Sequence, residues 1–218
     1  MPSIRAPAGK SMSTDGPAAN PPRDLDKLPD AVPRLEPIRP GGANKPYAVA
    51  GHWYEPITDE RAYSERGLGS WYGRKYHGRP TASGEPYDMF AMTAAHPRLP
   101  IPSYARVRNP ANGREIIVRI NDRGPFVRGY AIDLSYTAAL KLGLLRGVAP
   151  VEVERITPAM IRAGNFGSAE IEPTGIDLAR PVVPDAADDD VIGHWLLEQE
   201  ATAAGPPPES PVPPAPQR

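Results

Sequence analysis

Proline placement is the strongest constraint on this chain: 22 of its 30 prolines lie before Gly67 or after Thr157. Each proline removes a backbone donor and fixes φ, so segments dense in it neither pair into central strands nor continue helices. A packed core is thereby confined to about 90 central residues, an ordinary size for one domain. The chain divides into an N-terminal Pro/Ala-rich arm over residues 1–46, a folded unit over 47–157 and an acidic, proline-rich tail over 158–218. Both arms are expected to be mostly disordered, because they lack the apolar surface that would offset ordering entropy.

Charge follows the same division. The whole chain is at −1, yet Gly67 to Thr157 carries 13 Lys or Arg against 7 Asp or Glu, a net of +6. A positive domain suits nucleic acid, an anionic membrane surface or an acidic polymer. Its arginines are scattered over strands and turns, with no recognition helix and no stacking series, so the polymer is favoured and nucleic acid is not expected. Cysteine is absent, which removes a disulfide framework and a cysteine-based zinc site. No metal or cofactor is expected. No apolar run reaches the roughly 20 residues of a membrane span, and the start "MPSIRAPAGK" has no apolar signal-peptide region.

Short strands dominate the central pattern. "YAVAGHWYEPI" (47–57) reads as a hairpin around a glycine, and "LGSWY" as a strand entering a Gly- and Pro-rich loop. "YARVRN" and "EIIVRIN" alternate on either side of Asn112-Gly113, a two-residue hairpin signal. One clear helix follows, with Asp133 or Ser135 as N-cap, apolar positions from Tyr136 to Leu142 and Gly143 as stop. "APVEVERI" closes the unit as a strand. "PAMIRAG" offers a helical turn and Val191–Glu200 a second short helix, before a polyproline-like end. The expected class is mainly β, a small closed barrel with one or two short helices.

Three runs carry chemistry: "GSWYGRKYHGRPTASGEPYDMFAMTAAH" (69–96), "VRINDRGPF" (118–126) and "IDLSYTAALKLG" (132–143). They place Glu85, His96, Asp122 and Asp133 beside glycines, prolines or strand ends, where backbone geometry sets side-chain direction. Each has a plain reading as well. Asp122 before Arg123 could be a strand-end ion pair or Asx-turn, Glu85 an exposed loop carboxylate, and His96 a satisfied buried histidine. Asp133 is most simply a helix cap.

These runs, in this order, resemble the rare lipoprotein A family, the septal-ring lytic transglycosylases of bacterial envelopes. The literal stretches "SWYG", "GEPYDM", "TAAH", "VRINDRGPF" and "IDLSY" carry the resemblance over roughly 47–156. It implies a six-stranded double-psi β-barrel acting on peptidoglycan in the periplasm or cell envelope. The implied reaction cleaves the β-1,4 bond between N-acetylmuramic acid and N-acetylglucosamine, on strands stripped of stem peptides, and leaves a 1,6-anhydro sugar. Matching the family motif residue by residue makes Asp122, Glu85 and His96 the catalytic candidates. Asp133 is a second-tier one, since expansin-like barrels carry an active-site Asp in a similar "DLS" context.

Glycosidic cleavage needs a proton for the leaving oxygen and stabilisation of a cationic sugar. When the sugar's own C6 hydroxyl replaces water, one group serves first as acid and then as base. Asp122 is the leading acid/base, Glu85 its partner and His96 a support. Trp71, Tyr72 and Tyr87 are candidates for stacking on sugars, although core packing explains Trp71 equally well. Arg79, Arg98 and Arg123 are candidates for the lactyl carboxylate. The family's peptidoglycan-binding SPOR module and lipobox cysteine are not found in the sequence, and the tail is a candidate for recruiting an envelope or division partner. The rival reading is a non-catalytic, expansin-like glycan-binding module.

Overall fold

The computed structural model describes residues 15–166. Expectations on residues 1–14 and 167–218, including the Val191–Glu200 helix and the polyproline-like end, lie outside the described residues. Six strands close a barrel: β3 (Ser64–Trp71), β4 (Thr93–Ala95), β5 (Ser103–Asn109), β6 (Arg114–Asp122), β7 (Tyr130–Leu134) and β8 (Ala149–Ile156). The order around the barrel is β3-β7-β4-β6-β5-β8. The β3–β7 and β4–β6 pairs are parallel and the other four antiparallel. Closure leaves no sheet edge to protect. A separate hairpin, β1 (Tyr47–Val49) with β2 (His52–Tyr54), precedes the barrel.

The alternation in "YARVRN" and "EIIVRIN" produces the core directly. Ala105 faces Val118 and Val107 faces Ile116 across the β5–β6 ladder, and all four are at most 2% exposed. Ile132, Leu134, Val151 and Val153 meet them from β7 and β8. The expected two-residue Asn-Gly turn is instead a four-residue loop closed by the Asn109↔Arg114 pair. The Asn109 side chain accepts from the Ala111 N–H at 3.0 Å, an Asx-turn that starts the reversal early. Of the two turn residues, Gly113 alone has positive φ, so the geometry that Asn-Gly favours is not formed.

Helix α1 (Tyr136–Leu142) settles the open N-cap. The Ser135 hydroxyl accepts from the Ala138 N–H at 3.2 Å, and Gly143 ends the helix at φ 81°. Asp133 is not a cap, because it lies inside β7. A second short helix, α2 (Pro158–Arg162), is capped by Thr157.

The expected disordered arm is corrected over its described part. Residues 15–46 contain only two turns of 3-10 helix, Leu25–Lys27 and Gly42–Asn44, yet they lie along the barrel. Asp15 accepts from the Gly73 and Lys75 N–H groups at 2.8 and 2.9 Å. Ala31 donates to the Ile117 carbonyl at 3.1 Å, and Asp30 accepts from the Ile117 N–H and pairs with Lys141. Asn44 bridges both backbone groups of Ile101. Side-chain acceptors and leucine burial (Leu25, 5% exposed) thus hold a segment that is too proline-rich for ladders.

Gly73 is the tightest of these contacts. A Cβ there would sit 2.3 Å from the Gly16 carbonyl oxygen, which is a backbone atom that cannot swing aside. Gly73→Ala is expected to lift the Asp15–Gly16 anchor. Amide exchange at Lys75 would then accelerate at least tenfold, while the β5–β6 amides remain protected.

Candidate active site

Three neighbouring strands bring the principal carboxyl groups together. Ala95, at the end of β4, is the register partner of Asp122 on β6 and of Asp133 on β7. Opposed residues on paired strands project to the same face, so the two acids flank Ala95 on one side of the barrel.

Asp122 is half-buried, and its Oδ1 accepts from the Ala82 and Arg123 N–H groups at 2.9 and 2.8 Å. Loss of water pushes its carboxyl up to about 6, and the two N–H donors and the Arg123 charge offset only part of that. Asp133 is 8% exposed and accepts a hydrogen bond from the Ser70 hydroxyl. Burial, aided by the Asp122 charge, likewise raises it to about 6. Both carboxyls therefore keep a proton well above the range of a free aspartate and release it around pH 6. Ser70, the partner of Asp133 across the parallel β3–β7 ladder, escaped sequence reasoning because parallel pairing leaves no local signal.

Glu85 stands apart from this pair. It sits on the loop closed by the Thr81 N–H to Glu85 carbonyl bond (2.8 Å), with a half-exposed side chain. Its Oε2 accepts from Arg119 Nη1 at 2.7 Å and from Asn121 at 3.5 Å. The Arg119 hydrogen bond holds it below the usual carboxylate range, so Glu85 is ionised at neutral pH and is not a proton donor. The same loop supplies the Ala82 N–H to Asp122, while Ser83 donates to the Asn121 carbonyl at 3.0 Å.

His96 is fully buried and faces away from the acids. Its Nδ1 accepts from the Arg98 and Leu99 N–H groups at 3.0 and 2.9 Å. Nε2 must therefore carry the hydrogen, which it gives to Glu65 at 2.6 Å. Burial opposes ionisation of Glu65, but the bonds from His96 and Tyr63 together outweigh it and hold its carboxyl low. His96 touches Asp122 through backbone alone, its N–H donating to the Asp122 carbonyl at 3.1 Å. It is a structural tie beneath the site.

The aromatic and basic candidates also separate. Tyr87 is 2% exposed, stacks on Tyr72 at 4.0 Å, and donates to the Tyr72 carbonyl at 2.5 Å. Trp71 packs edge-on against Tyr136. These rings form a satellite core with Leu25 and Met89, in which Tyr87 is buried and offers no free face for a sugar while Trp71 is only partly buried. The Tyr72 hydroxyl is enclosed and has no hydrogen-bond partner among the described residues. Burial first, then the Asp122 and Asp133 charges, hold it well above a free phenol, which makes it a neutral donor beside the pair.

Arg123 is 6% exposed and donates to the carbonyls of Ala43, His96 and Leu99 and to Asn44 Oδ1, at 2.6–3.0 Å. Burial lowers it to about 10. Its expected role on substrate is corrected, since every reachable donor faces the protein. Arg79 and Arg98 are exposed, the latter over the Tyr63 ring at 5.7 Å. Among the described residues, no cluster of His, Asp and Glu could hold a metal ion.

The closed six-stranded barrel, with Asp122 and Asp133 on the two strands that flank β4, is a double-psi β-barrel. Residues 64–153 match the family described as lytic transglycolase. The chain is 47% identical over 153 residues to the endolytic peptidoglycan transglycosylase RlpA of Vibrio cholerae, covering 70% of this chain and 58% of that protein. It is 52% identical over 136 residues to the protein of the same name from Pseudomonas aeruginosa, covering 62% and 39%. A Neisseria meningitidis relative of that name is 51% identical over 130 residues, covering 59% and 54%. The chain belongs to the rare lipoprotein A family, and spans about half the length of the curated relatives it matches.

Proposed function

We propose that this chain is a peptidoglycan lytic transglycosylase of the cell envelope. The observation that carries the reading is the Asp122–Asp133 pair, two carboxyls raised to about 6 at one mouth of the barrel. It is supported by relatives whose printed name is endolytic peptidoglycan transglycosylase.

Asp122 is the more accessible of the two and meets the glycosidic oxygen. Its proton passes to that oxygen as the bond to C1 of the muramic sugar breaks, and the departing strand leaves with a free hydroxyl. The C6 hydroxyl oxygen then bonds to C1 and its proton returns to Asp122, so the ring closes as a 1,6-anhydro sugar and no water is consumed. Burial keeps the proton on Asp122, and the Asp122 charge in turn helps to raise Asp133. The ionised Glu85 stabilises the cationic sugar from the rim. Arg79 and Arg98, the exposed arginines of the candidate set, suit the lactyl carboxylates of peptide-free strands.

Digestion of amidase-treated sacculi by the full chain, followed by mass spectrometry, is expected to yield soluble 1,6-anhydro-ended glycans. Absence of such ends, with strand binding intact, would favour a non-catalytic glycan-binding module. The rate should also carry a specific pH signature. The first step needs the pair to retain a proton, so kcat is expected to fall tenfold per unit once pH rises above about 6 to 7. A rate flat to pH 9 would remove Asp122 from the acid role.

A further inference from the structure

The arm reaches the reaction through one arginine. We infer that Glu36 is a positioning residue for Glu85, acting through Arg119, so that the working enzyme includes the arm as well as the barrel; this rests on the lytic transglycosylase reading above. Arg119 Nε and Nη2 donate to the two oxygens of Glu36 at 2.8 and 3.0 Å, and Nη1 donates to Glu85 at 2.7 Å. A guanidinium presents its donors in one rigid plane. With the Nε/Nη2 fork filled, the direction of Nη1 is fixed, and with it the place where Glu85 is held.

Glu36 is itself well anchored. The Tyr104 hydroxyl donates to its Oε1 at 2.6 Å, and Arg34 approaches the same oxygen at 3.5 Å. The Arg119 hydrogen bonds are the chief reason that its carboxyl lies at about 2. Glu36 and Arg119 are only 15% and 16% exposed, whereas Glu85 is 49% exposed. A lone exposed ion pair would hold Glu85 weakly. A bidentate, mostly buried pair behind it supplies the geometry. Upstream, the Ala31 and Asp30 bonds to Ile117 fasten the arm to β6, the strand that bears Arg119.

The chemical reason for such a relay lies in the loop. Gly84 has φ 88° and Pro86 follows Glu85, so the backbone there is shaped by turn geometry and the Glu85 side chain stands half-exposed. An ionised carboxylate that must meet a transient cation gains from being held in place beforehand.

A double-mutant cycle in the full chain tests this. Glu36→Gln is expected to lower kcat on stripped strands about five- to tenfold with KM changed less than twofold, and Arg119→Lys to do the same. In the Glu85→Gln background, adding Glu36→Gln should cost nothing further. Equal losses in both backgrounds, or an unchanged kcat in Glu36→Gln, would overturn the proposal. If the wild type itself makes no anhydro ends, it is the transglycosylase reading that fails. The positioning claim is then decided by 13C NMR of the Glu85 carboxyl, whose titration midpoint should move by at least half a pH unit in Glu36→Gln. A midpoint that stays put would refute it.

Discussion

Asp122→Asn is expected to reduce release of anhydro-ended strands roughly a thousandfold, the scale on which a positioned proton donor acts. The same substitution should make the protein more stable at neutral pH. The folded carboxyl lies at about 6 against an ordinary 3.8, so its contribution to stability is fully present below pH 3.8 and is lost as pH rises through 6. At pH 7.5 the wild type therefore carries a penalty that asparagine removes, while the Ala82 and Arg123 N–H groups keep an acceptor. Two units would correspond to about 3 kcal/mol; partial exposure and sharing with Asp133 reduce this to about 1–2 kcal/mol. Thermal unfolding at pH 7.5 should show a Tm several degrees above wild type, and the gap should vanish near pH 3.5. Lost activity together with lost stability would indicate a damaged fold instead of a missing acid.

Arg123→Met is expected to produce the largest loss of stability. The substitution leaves the carbonyls of Ala43, His96 and Leu99 without their buried donor, along with Asn44, which orders the end of the arm. Stranding buried partners of a removed charge costs about 3–5 kcal/mol. Arg123→Lys should recover less than half of it, because one ammonium cannot reach three carbonyls on two segments. Urea unfolding measures both, and an unfolding midpoint within error of wild type would contradict this role. In the fraction that stays folded, KM for stripped strands should be unchanged, which separates this residue from one that binds the lactyl group.

The β5 and β6 strands were legible because alternation in "YARVRN" and "EIIVRIN" is a local pattern, and so was the helix, bounded by Ser135 and Gly143; the hairpin register was not, because the Asn109 Asx-turn starts the reversal before Asn112-Gly113. The arm was misread for an equally physical reason. Proline density forbids ladders, but it does not forbid a chain from being held by side chains, and Asp15, Asp30, Glu36 and Asn44 do this at contacts 57 to 87 residues away. Within the site, Asp122 was legible from its strand end. Asp133 looked most simply like a cap, with a catalytic role only second-tier, and it is the β3–β7 and β4–β7 pairings that place it beside Ala95, across from Asp122. His96 and Arg123 stood in the right motifs, yet their bonds to backbone and to Glu65 depend on loops that no spacing rule encodes. Much of the positive charge proved to be internally matched as well: Arg106 by Glu115 and Glu154, Arg119 by Glu36 and Glu85.

Ala95 sits between the acids as the middle member of a row of three, 3% exposed, with Asp122 on one side and Asp133 on the other. Strands lie about 4.8 Å apart, so the α-carbons of the two acids are separated by roughly two strand widths. The gap between their carboxyls is floored by a single methyl group. The row works as a gauge: in the proposed reaction a sugar edge would meet carboxyls from both sides of this notch, and a larger side chain at 95 would raise its floor and part the pair.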